Sequence, residues 1–401
     1  MICKGNGIDD PSIIEASMST GMSERAFFNT PNVSAIPFTS ASVDRKQIIA
    51  VAGGKGGVGK TILSASIGIS LSQEGFKVVV IDADFGGANL HQAMGILSPP
   101  ITMRNFISGE ETDMNKLMLE TSVPNVYLLA GAGGTISFSN PQYSVKQRIL
   151  RNLSKIEADF IILDLGAGSS FNQLDYFINA DMGVVVITPE PLAIQDGYQC
   201  VKVSLYRKLL ISFKKYPELI AFFKNATIPP PGERSKSFNY ITEMVAQFGE
   251  SIHQEWNSIV RTFKPVVIMN MVESEKDLFE GMALQIASRD ILNIDIEEFE
   301  YVQYDDGIRR AAKLMQPELL MRENCGAAQD IAQFVNHTIL KKGKSTPTFR
   351  KHLPKHKATT VVPDCEEDVI CSVHCNLWDN CSAQRGGFPC RIRIVGFMNQ
   401  K

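Results

Sequence analysis

The stretch GGKGGVGKT, from Gly53 to Thr61, has the residue types and spacing best suited to chemistry. Its glycines permit a tight turn that brings backbone N–H groups against phosphate oxygens, and a following helix would point its positive end at the same anion. Lys60 is placed to reach the β- and γ-phosphates, and the Thr61 hydroxyl is placed to bind Mg²⁺. The pattern predicts a phosphate-binding loop for a nucleotide. The residues expected to contact the nucleotide are Gly54, Lys55, Gly56, Gly57, Val58, Gly59, Lys60 and Thr61.

The elements around this loop must position it. From Lys46 onward, short runs rich in Val, Ile or Leu alternate with amphipathic stretches, and this alternation predicts an α/β fold with a doubly wound, mainly parallel sheet. Gly75 suits a left-handed cap at the end of the helix predicted for Ile62 to Glu74. The predicted strands are Gln47 to Ala52, Lys77 to Ile81, Val126 to Ala130, Phe160 to Leu165, Gly183 to Thr188 and Pro265 to Asn270.

Carboxylates follow two of these predicted strands. Asp82 and Asp84 end the second strand, and Asp164 follows the apolar run Phe160 to Leu163. In an open parallel sheet the carboxyl ends of the strands face the ligand crevice, where a carboxylate can hold hydrated Mg²⁺ or orient an attacking water. Asp84 has a second interpretation, as a cap for the turn that follows it.

Lys55 is a second lysine inside the loop, and a cation beyond Lys60 suits another phosphate set or the charge of a transition state. With this residue the sequence resembles the deviant Walker A ATPases of the MinD/ParA family of P-loop ATPases. Asn89, in the run after Asp84, makes it most similar to the MinD and flagellar-number-regulator (FlhG-like) branch. Where that family has a proline after the Walker B aspartate, this chain reads Leu-Gly-Ala-Gly.

The resemblance implies a fold, an activity and roles for particular residues. It implies hydrolysis of ATP to ADP and phosphate, with Lys55 crossing a dimer interface, Lys60 acting within its own subunit and Asp84 positioning water. Mg²⁺ would be held by Thr61, Asp82 and Asp164. Asn270, at the end of the last predicted strand, would contact the adenine, although its residue type equally suits a turn that ends a strand.

The composition of the chain limits its class of protein and its location. A chain of 401 residues with 44% hydrophobic content can bury a sizeable core, and a formal net charge of −3 gives no global attraction to nucleic acid or anionic lipid. No apolar stretch approaches the length of a membrane span, and no signal peptide is evident at the N-terminus. We therefore expect a cytoplasmic protein, with a peripheral contact at the inner face of the membrane kept as an alternative.

The chain is predicted to have four parts. Residues 1–45 are expected to be a flexible arm, 46–340 the ATPase domain, 341–360 a basic linker and 361–401 a small Cys-rich module. An insertion at about 207–264 begins with apolar residues interleaved with cations. That run is either a helix packed on the sheet with a solvated lysine face or a basic helix for a membrane or a partner.

Five of the eight cysteines lie between Cys365 and Cys390. In a reducing compartment such clustering favours metal binding over disulfides, and unliganded or redox-active thiols are the alternative. Four thiolates suit either Zn²⁺ or an iron–sulfur cluster, and the spacing does not choose between them. The preferred ligands are Cys371, Cys375, Cys381 and Cys390.

Together these features predict an ATP-dependent dimerisation switch that positions or regulates a partner assembly of flagellar, division or other type. The expected partners are a second copy of the chain and an unidentified protein. One alternative is an ATP-dependent iron–sulfur carrier or redox protein that uses the cysteine module. A second is a DNA-partitioning ATPase that binds nucleic acid through the basic linker, although the linker has few aromatic residues for stacking on bases.

Overall fold

The computed structural model describes residues 45–133, 143–168, 170–228, 236–296, 298–322 and 325–342. These residues form one eight-stranded sheet flanked by helices. The strands are β1 Gln47–Ala52, β2 Val78–Asp82, β3 Leu119–Glu120, β4 Val126–Leu129, β5 Phe160–Asp164, β6 Met182–Ile187, β7 Val266–Val272 and β8 Phe299–Gln303. The helices are α1 Lys60–Gln73, α2 Leu90–Ala93, α3 Met103–Ser108, α4 Tyr143–Leu153, α5 Phe171–Asn179, α6 Pro191–Ser212, α7 Pro217–Thr227, α8 Phe238–Val245, α9 Glu250–Thr262, α10 Glu275–Leu292, α11 Asp306–Leu314 and α12 Gly326–Phe334, the last continuing into a π-helical turn at Val335–Ile339.

The strand order is β3-β4-β2-β5-β1-β6-β7-β8, and every neighbouring pair is parallel except β3 with β4. The predicted α/β fold with a mainly parallel, doubly wound sheet is therefore confirmed. Strand β1 lies between β5 and β6, so the loop that follows β1 is next to the residues that end β5. In the β2–β5 pair, Asp82 is directly opposite Asp164.

The sheet separates two hydrophobic layers. Ile49 and Val51 of β1 pack in one layer with Leu63 of α1, whereas Ala50 and Ala52 pack in the other layer, which includes α5 and α6. Successive side chains of a strand point to opposite faces, so a strand covered on both faces must be apolar throughout. This is why the central strands read as continuous apolar runs.

Two strands have no counterpart among the six that the sequence predicted. β3 is two residues long and is the antiparallel edge of the sheet, so it is too short to give a periodic signal. β8 also lies at an edge, and only Val302 among its five residues is buried. Edge strands lack the apolar runs by which central strands are recognised.

The insertion is built from the end of α6 and from α7, α8 and α9, and its core is aromatic. Trp256 is 1% exposed, and its ring centroid lies 5.3 Å from that of Phe223, 5.7 Å from Phe213 and 6.0 Å from Phe238. The basic run at the start of the insertion places Leu209 and Phe213 in this core. The packed-helix interpretation is confirmed for that run.

A buried ionic cluster joins the insertion to the rest of the domain. Asp175 of α5 accepts hydrogen bonds from Arg207 of α6, at 2.7 Å from Nε and 3.0 Å from a terminal nitrogen, and it also pairs with Lys146 of α4. The side chains of Lys146 and Asp175 are each 3% exposed. Three helices thus meet at one carboxylate. Arg207, the first cation of the basic run, contributes to the packing between these helices.

None of the helices in the described ranges combines the length and the apolar character that crossing a membrane would need.

Candidate functional site

The glycine-rich loop joins β1 to α1 and is anchored at its ends but open at its tip. Val58 is 2% exposed, and a side chain on Gly54 would collide with the backbone oxygen of Asp196 at 2.3 Å. Gly57 and Gly59 have φ values of 86° and 91°, in the left-handed region that glycine adopts without strain. A Cβ on Gly56 or Gly57 would meet no atom within 4 Å. The loop is therefore a fixed turn whose exposed side is free for a ligand.

Helix α1 begins at Lys60, directly after this turn. Its N-cap, Gly59, provides no side-chain hydrogen bond, and the first turn of the helix contains no acidic residue. The first amides of a helix have no partners within the helix and carry the positive end of its dipole. The end of α1 therefore presents free amides and a positive dipole end, which the predicted phosphate site requires.

The two lysines of the loop differ in environment. Lys60 is 8% exposed, and its Nζ donates to the backbone oxygen of Lys55 at 3.1 Å. Burial lowers the pKa of Lys60, and the negative charges of Asp164 and Asp84 oppose that shift. Lys55 is exposed, and its side chain makes no hydrogen bond or ion pair with the part of the chain that the structure describes. Only Lys60 points into its own loop.

Asp82 and Asp164 are buried carboxylates on adjacent strands. Asp82 is 0% exposed and accepts from the amides of Leu90 at 3.0 Å and Asp84 at 3.1 Å. Asp164 is 2% exposed and accepts from the hydroxyl of Ser64 at 3.0 Å. Burial, reinforced by the charge of Asp164, raises the pKa of Asp82 to about 7. Burial also raises the pKa of Asp164 to about 6, against the hydrogen bonds from Thr61 and Ser64.

These residues fit a magnesium ion. Two buried carboxylates side by side repel one another and are poorly solvated, and a divalent cation relieves both effects. The hydroxyl of Thr61 lies beside Asp164, and its Oγ1 also lies 3.2 Å from Oδ1 of Asn89. Oxygen atoms of this kind are the ligands that Mg²⁺ prefers. Thr61, Asp82 and Asp164 thus gather at one corner, as expected for a shared metal.

Asp84 lies just beyond β2 and is partly buried. Its Oδ1 accepts from the amide of Gly87 at 3.0 Å, so it does cap the turn that follows it. It also faces the end of β5, because a Cβ on Gly166 would stand 2.8 Å from its Cγ. The two interpretations drawn from the sequence are therefore compatible. Asp84 caps a local turn and lies beside the residues that follow Asp164.

Asn270 of β7 braces the loop. Its Nδ2 donates to the backbone oxygen of Val58 at 2.9 Å, and a Cβ on Gly59 would stand 2.3 Å from the same nitrogen. Asn270 also lines a largely apolar cavity of about 520 Å³ together with Ile62, Val302 and Tyr304. Its Oδ1 accepts from none of the described residues and remains available to a ligand. The contact with Val58 was not anticipated, because the two residues are more than 200 positions apart.

Sequence reasoning missed Ser64, which hydrogen-bonds Asp164. Ser64 lies one helical turn beyond Lys60, so it shares the face of α1 that bears the loop lysine. That spacing was a usable signal. By contrast, nothing local to Asp196 predicted that its backbone packs against Gly54.

The predicted cysteine ligands, Cys371, Cys375, Cys381 and Cys390, lie outside the described residues. Within the described ranges, Cys200 and Cys325 are free and buried, and no group of three or more His, Cys, Asp or Glu side chains could hold a metal.

A glycine-rich loop between a central parallel strand and a helix, with buried carboxylates at the ends of the neighbouring strands, defines a P-loop NTPase. Residues 44–212 match the ParA family model, described as NUBPL iron-transfer P-loop NTPase. Residues 44–212 of this chain are therefore similar to the P-loop NTPase domain of the ParA family.

Curated relatives agree with this assignment. The chain is 32% identical over 166 residues to the flagellum site-determining protein YlxH of Helicobacter pylori, covering 40% of this chain and 55% of that protein. It is 36% identical over 152 residues to the septum site-determining protein MinD of Buchnera aphidicola, covering 38% and 56%. It is 31% identical over 159 residues to the antiactivator FleN of Pseudomonas aeruginosa, covering 39% and 56%. The chain spans a little over half the length of these relatives.

Among solved structures, the MinC:MinD cell division protein complex of Aquifex aeolicus contains a chain with the same fold. The TM-score is 0.50 at 20% sequence identity, and the match covers 76% of this chain and 98% of that chain. ATP and Mg²⁺ are the usual ligands of MinD and ParA ATPases.

Proposed function

We propose that this protein is a MinD/FlhG-like ATPase that acts as an ATP-dependent dimerisation switch and thereby positions or regulates a partner assembly. ATP would join two copies of the chain across the loop face, and hydrolysis would release them. A partner that binds the dimer better than the monomer is then coupled to the nucleotide state, as linkage requires. The described residues would form half of a two-subunit site.

The contrast between the two loop lysines carries this proposal. Lys60 is buried and turned into its own loop, whereas Lys55 is exposed at the mouth of the site. A cation held in solvent next to a phosphate site contributes little within its own subunit, because water screens its charge. If a second subunit covered the loop, Lys55 would be desolvated against that subunit's nucleotide, where its charge has a much larger effect.

In the proposed reaction each residue has a separate role. ATP would supply the scissile phosphoanhydride, and Mg²⁺ would neutralise its phosphates. Thr61, Asp82 and Asp164 would hold the metal, Lys60 would offset charge on the phosphates of its own subunit, and Asp84 would accept a hydrogen bond from the attacking water. The apolar cavity beside Asn270 is proposed to take the adenine ring, with Oδ1 of Asn270 accepting from its amino group.

The relatives' names support the positioning role. One is described as determining the site of the flagellum, another the site of the septum, and the structural match is a complex with MinC. We extend to this chain only the common element, a protein partner. We also propose a cytoplasmic location, with a peripheral membrane contact as a secondary possibility, and the division into parts at 1–45, 46–340, 341–360 and 361–401.

Replacing Lys55 by Ala tests the proposal. We expect the variant to bind ATP but to lose both ATP-dependent dimerisation and most of its turnover, because the cation supplied across the interface is gone. Light scattering with size-exclusion chromatography in ATP and in ADP, beside a phosphate-release assay, measures both. Lys214→Ala, which removes an exposed lysine of the insertion, is the matched control. If Lys55→Ala dimerises and turns over like Lys214→Ala, the crossing role is wrong.

A further inference from the structure

We infer that Gln173 is a further residue of the hydrolysis site, where its side-chain amide shares with Asp84 the positioning of the attacking water. The inference rests on the proposed ATPase function. Gln173 belongs to the first turn of α5, which follows the loop after Asp164. It is nine residues from Asp164 and lies outside the recognisable motifs of the sequence.

Gly166 shows how close the two side chains are. A Cβ on this glycine would stand 2.3 Å from Nε2 of Gln173 and 2.9 Å from Oδ1 of Asp84. Both atoms therefore lie against the same small patch of backbone, two residues beyond Asp164. Such an approach is open only to glycine, because real Cβ atoms do not come so near to other heavy atoms. The geometry thus brings the amide of Gln173 and the carboxylate of Asp84 together at the same edge of the sheet as the phosphate loop.

One atom of the Gln173 amide has no hydrogen-bond partner in the described ranges. Oε1 is buried and accepts no hydrogen bond from the described residues. A buried carbonyl oxygen without a donor has lost its hydrogen bonds to water without replacement, so a group left in that state calls for an explanation. The atom of this amide that lies against Gly166, beside Asp84, is Nε2. A turn of the amide about its last side-chain bond would bring Oε1 to that place, where a water beside Asp84 can donate to it and replace a lost hydrogen bond.

The helix that bears Gln173 is held firmly. Asp175, two residues further along α5, is the carboxylate that Arg207 and Lys146 bind inside the protein. This cluster fixes α5 against α4 and α6. Gln173 thus projects from an anchored helix, and a side chain that must orient a water benefits from such support.

Asp84 and Gln173 together provide the two acceptors that can orient one attacking water. A water that attacks phosphorus must keep a lone pair free, and it does so when both of its hydrogens are donated to acceptors. Asp84 supplies one acceptor and Oε1 of Gln173 supplies the other. The water oxygen then bonds to the γ-phosphorus, the bond to the β–γ bridging oxygen breaks, and that oxygen keeps the electron pair on ADP. One water proton passes through Asp84 to the released phosphate.

Replacing Gln173 by Leu tests the inference. We expect single-turnover hydrolysis to fall roughly 100-fold, comparable with the loss of one preorganised hydrogen-bonding group. We expect the dissociation constant for a fluorescent ATP analogue to change by less than about two-fold, because the amide would contact the water and not the ground-state nucleotide. The ATP-bound dimer should live longer in proportion. Gln254→Leu, at an exposed position of the insertion, is the matched control.

A second variant guards against misfolding of the first. Gln173→Asn keeps a polar amide but draws it back by one methylene, and we expect a similar loss of hydrolysis with a native circular dichroism spectrum. Turnover within about two-fold of wild type in folded Gln173→Leu or Gln173→Asn overturns the inference, and so does a loss that is fully matched by weaker nucleotide binding. If the wild-type protein dimerises with ATP yet both variants hydrolyse normally, only this inference fails. If the wild type hydrolyses no ATP, the proposed function fails and this inference fails with it.

Discussion

The nucleotide corner, formed by Lys60, Thr61, Asp82 and Asp164, and the helical insertion differ in how they accommodate buried charge. At the corner, Asp82 and Asp164 are buried side by side, and burial raises the pKa of both. In the insertion, aromatic rings fill the core, and where the insertion meets the rest of the domain the buried Asp175 of α5 is bound by Arg207 and Lys146. The corner therefore holds buried carboxylates that suit a cationic ligand, whereas the insertion and its junction pair their buried charge within the protein. Substitutions at the corner should change activity, and substitutions in the insertion should change stability.

The largest effect is expected from Trp256→Ala in the insertion. Removing this buried ring leaves a cavity among Phe213, Phe223 and Phe238, and losses of about 3–5 kcal/mol in the free energy of unfolding are typical of such changes. Urea unfolding monitored by circular dichroism measures it. Tyr240→Ala, at a side chain that is 41% exposed, is the control and should change stability by no more than about 0.5 kcal/mol. Equal effects of the two substitutions would contradict the aromatic-core description.

The next effect is expected from Lys60→Ala at the corner. Turnover should fall by about 10²–10³-fold, because a preorganised cation at the phosphates is lost. The free energy of unfolding without nucleotide should not fall, because the substitution removes a charge whose burial is unfavourable, as the lowered pKa indicates. A phosphate-release assay and urea unfolding of the same preparation separate the two. A loss of stability like that of Trp256→Ala would end the distinction between the regions.

Bound nucleotide and Mg²⁺ should raise the free energy of unfolding through their contacts at the nucleotide corner alone. With Mg²⁺ and ADP at 100 times the dissociation constant, the folded state gains about 2.7 kcal/mol by mass action. Removing Mg²⁺ with a chelator should take away much of this gain, because Asp82 and Asp164 then face the phosphates without a cation. Thermal unfolding with each combination of ligands measures it. If Asp164→Ala responded to Mg²⁺ exactly as the wild type does, the assigned metal corner would be incorrect.

The smallest effect is expected from the ionic cluster of Asp175, Arg207 and Lys146, whose contribution to the free energy of unfolding should be present at pH 7 and lost in acid. Burial would raise the pKa of Asp175, but the hydrogen bonds from Arg207 and Lys146 outweigh it and hold the pKa below its usual value. A carboxylate with a lowered pKa stabilises the fold above its unfolded pKa, about 4, and that contribution is lost as pH falls through the lowered value. The urea midpoint of Asp175→Asn should therefore lie below that of the wild type at pH 7, and the two midpoints should converge at pH 3. Identical midpoints at pH 7 would show that the cluster contributes nothing.

The sequence predicted the central strands and the loop because their signals are local. Gln47–Ala52 was placed with correct bounds from a continuous apolar run, and the phosphate loop from residue type and spacing. What it could not provide was the partner of each side chain across the fold. The contact of Asn270 with Val58 and the binding of Asp175 by Arg207 join residues that only the folded chain brings together. The two-residue β3 carried no periodicity to find.

Mixing two inactive variants tests the central claim most directly, namely that Lys55 acts across a dimer. Lys55→Ala and Asp84→Ala should each lose hydrolysis alone. In a mixed dimer, however, the Lys55→Ala subunit keeps its own Asp84 and receives Lys55 from its partner, so one of the two sites is complete. We expect an equal mixture to recover turnover well above that of either variant alone, on the order of a quarter of the wild-type value per subunit if the subunits pair at random, because each mixed dimer has one complete site and one crossing Lys55. If Lys55 acted within its own subunit, no site would be complete, and the mixture would stay as inactive as its components.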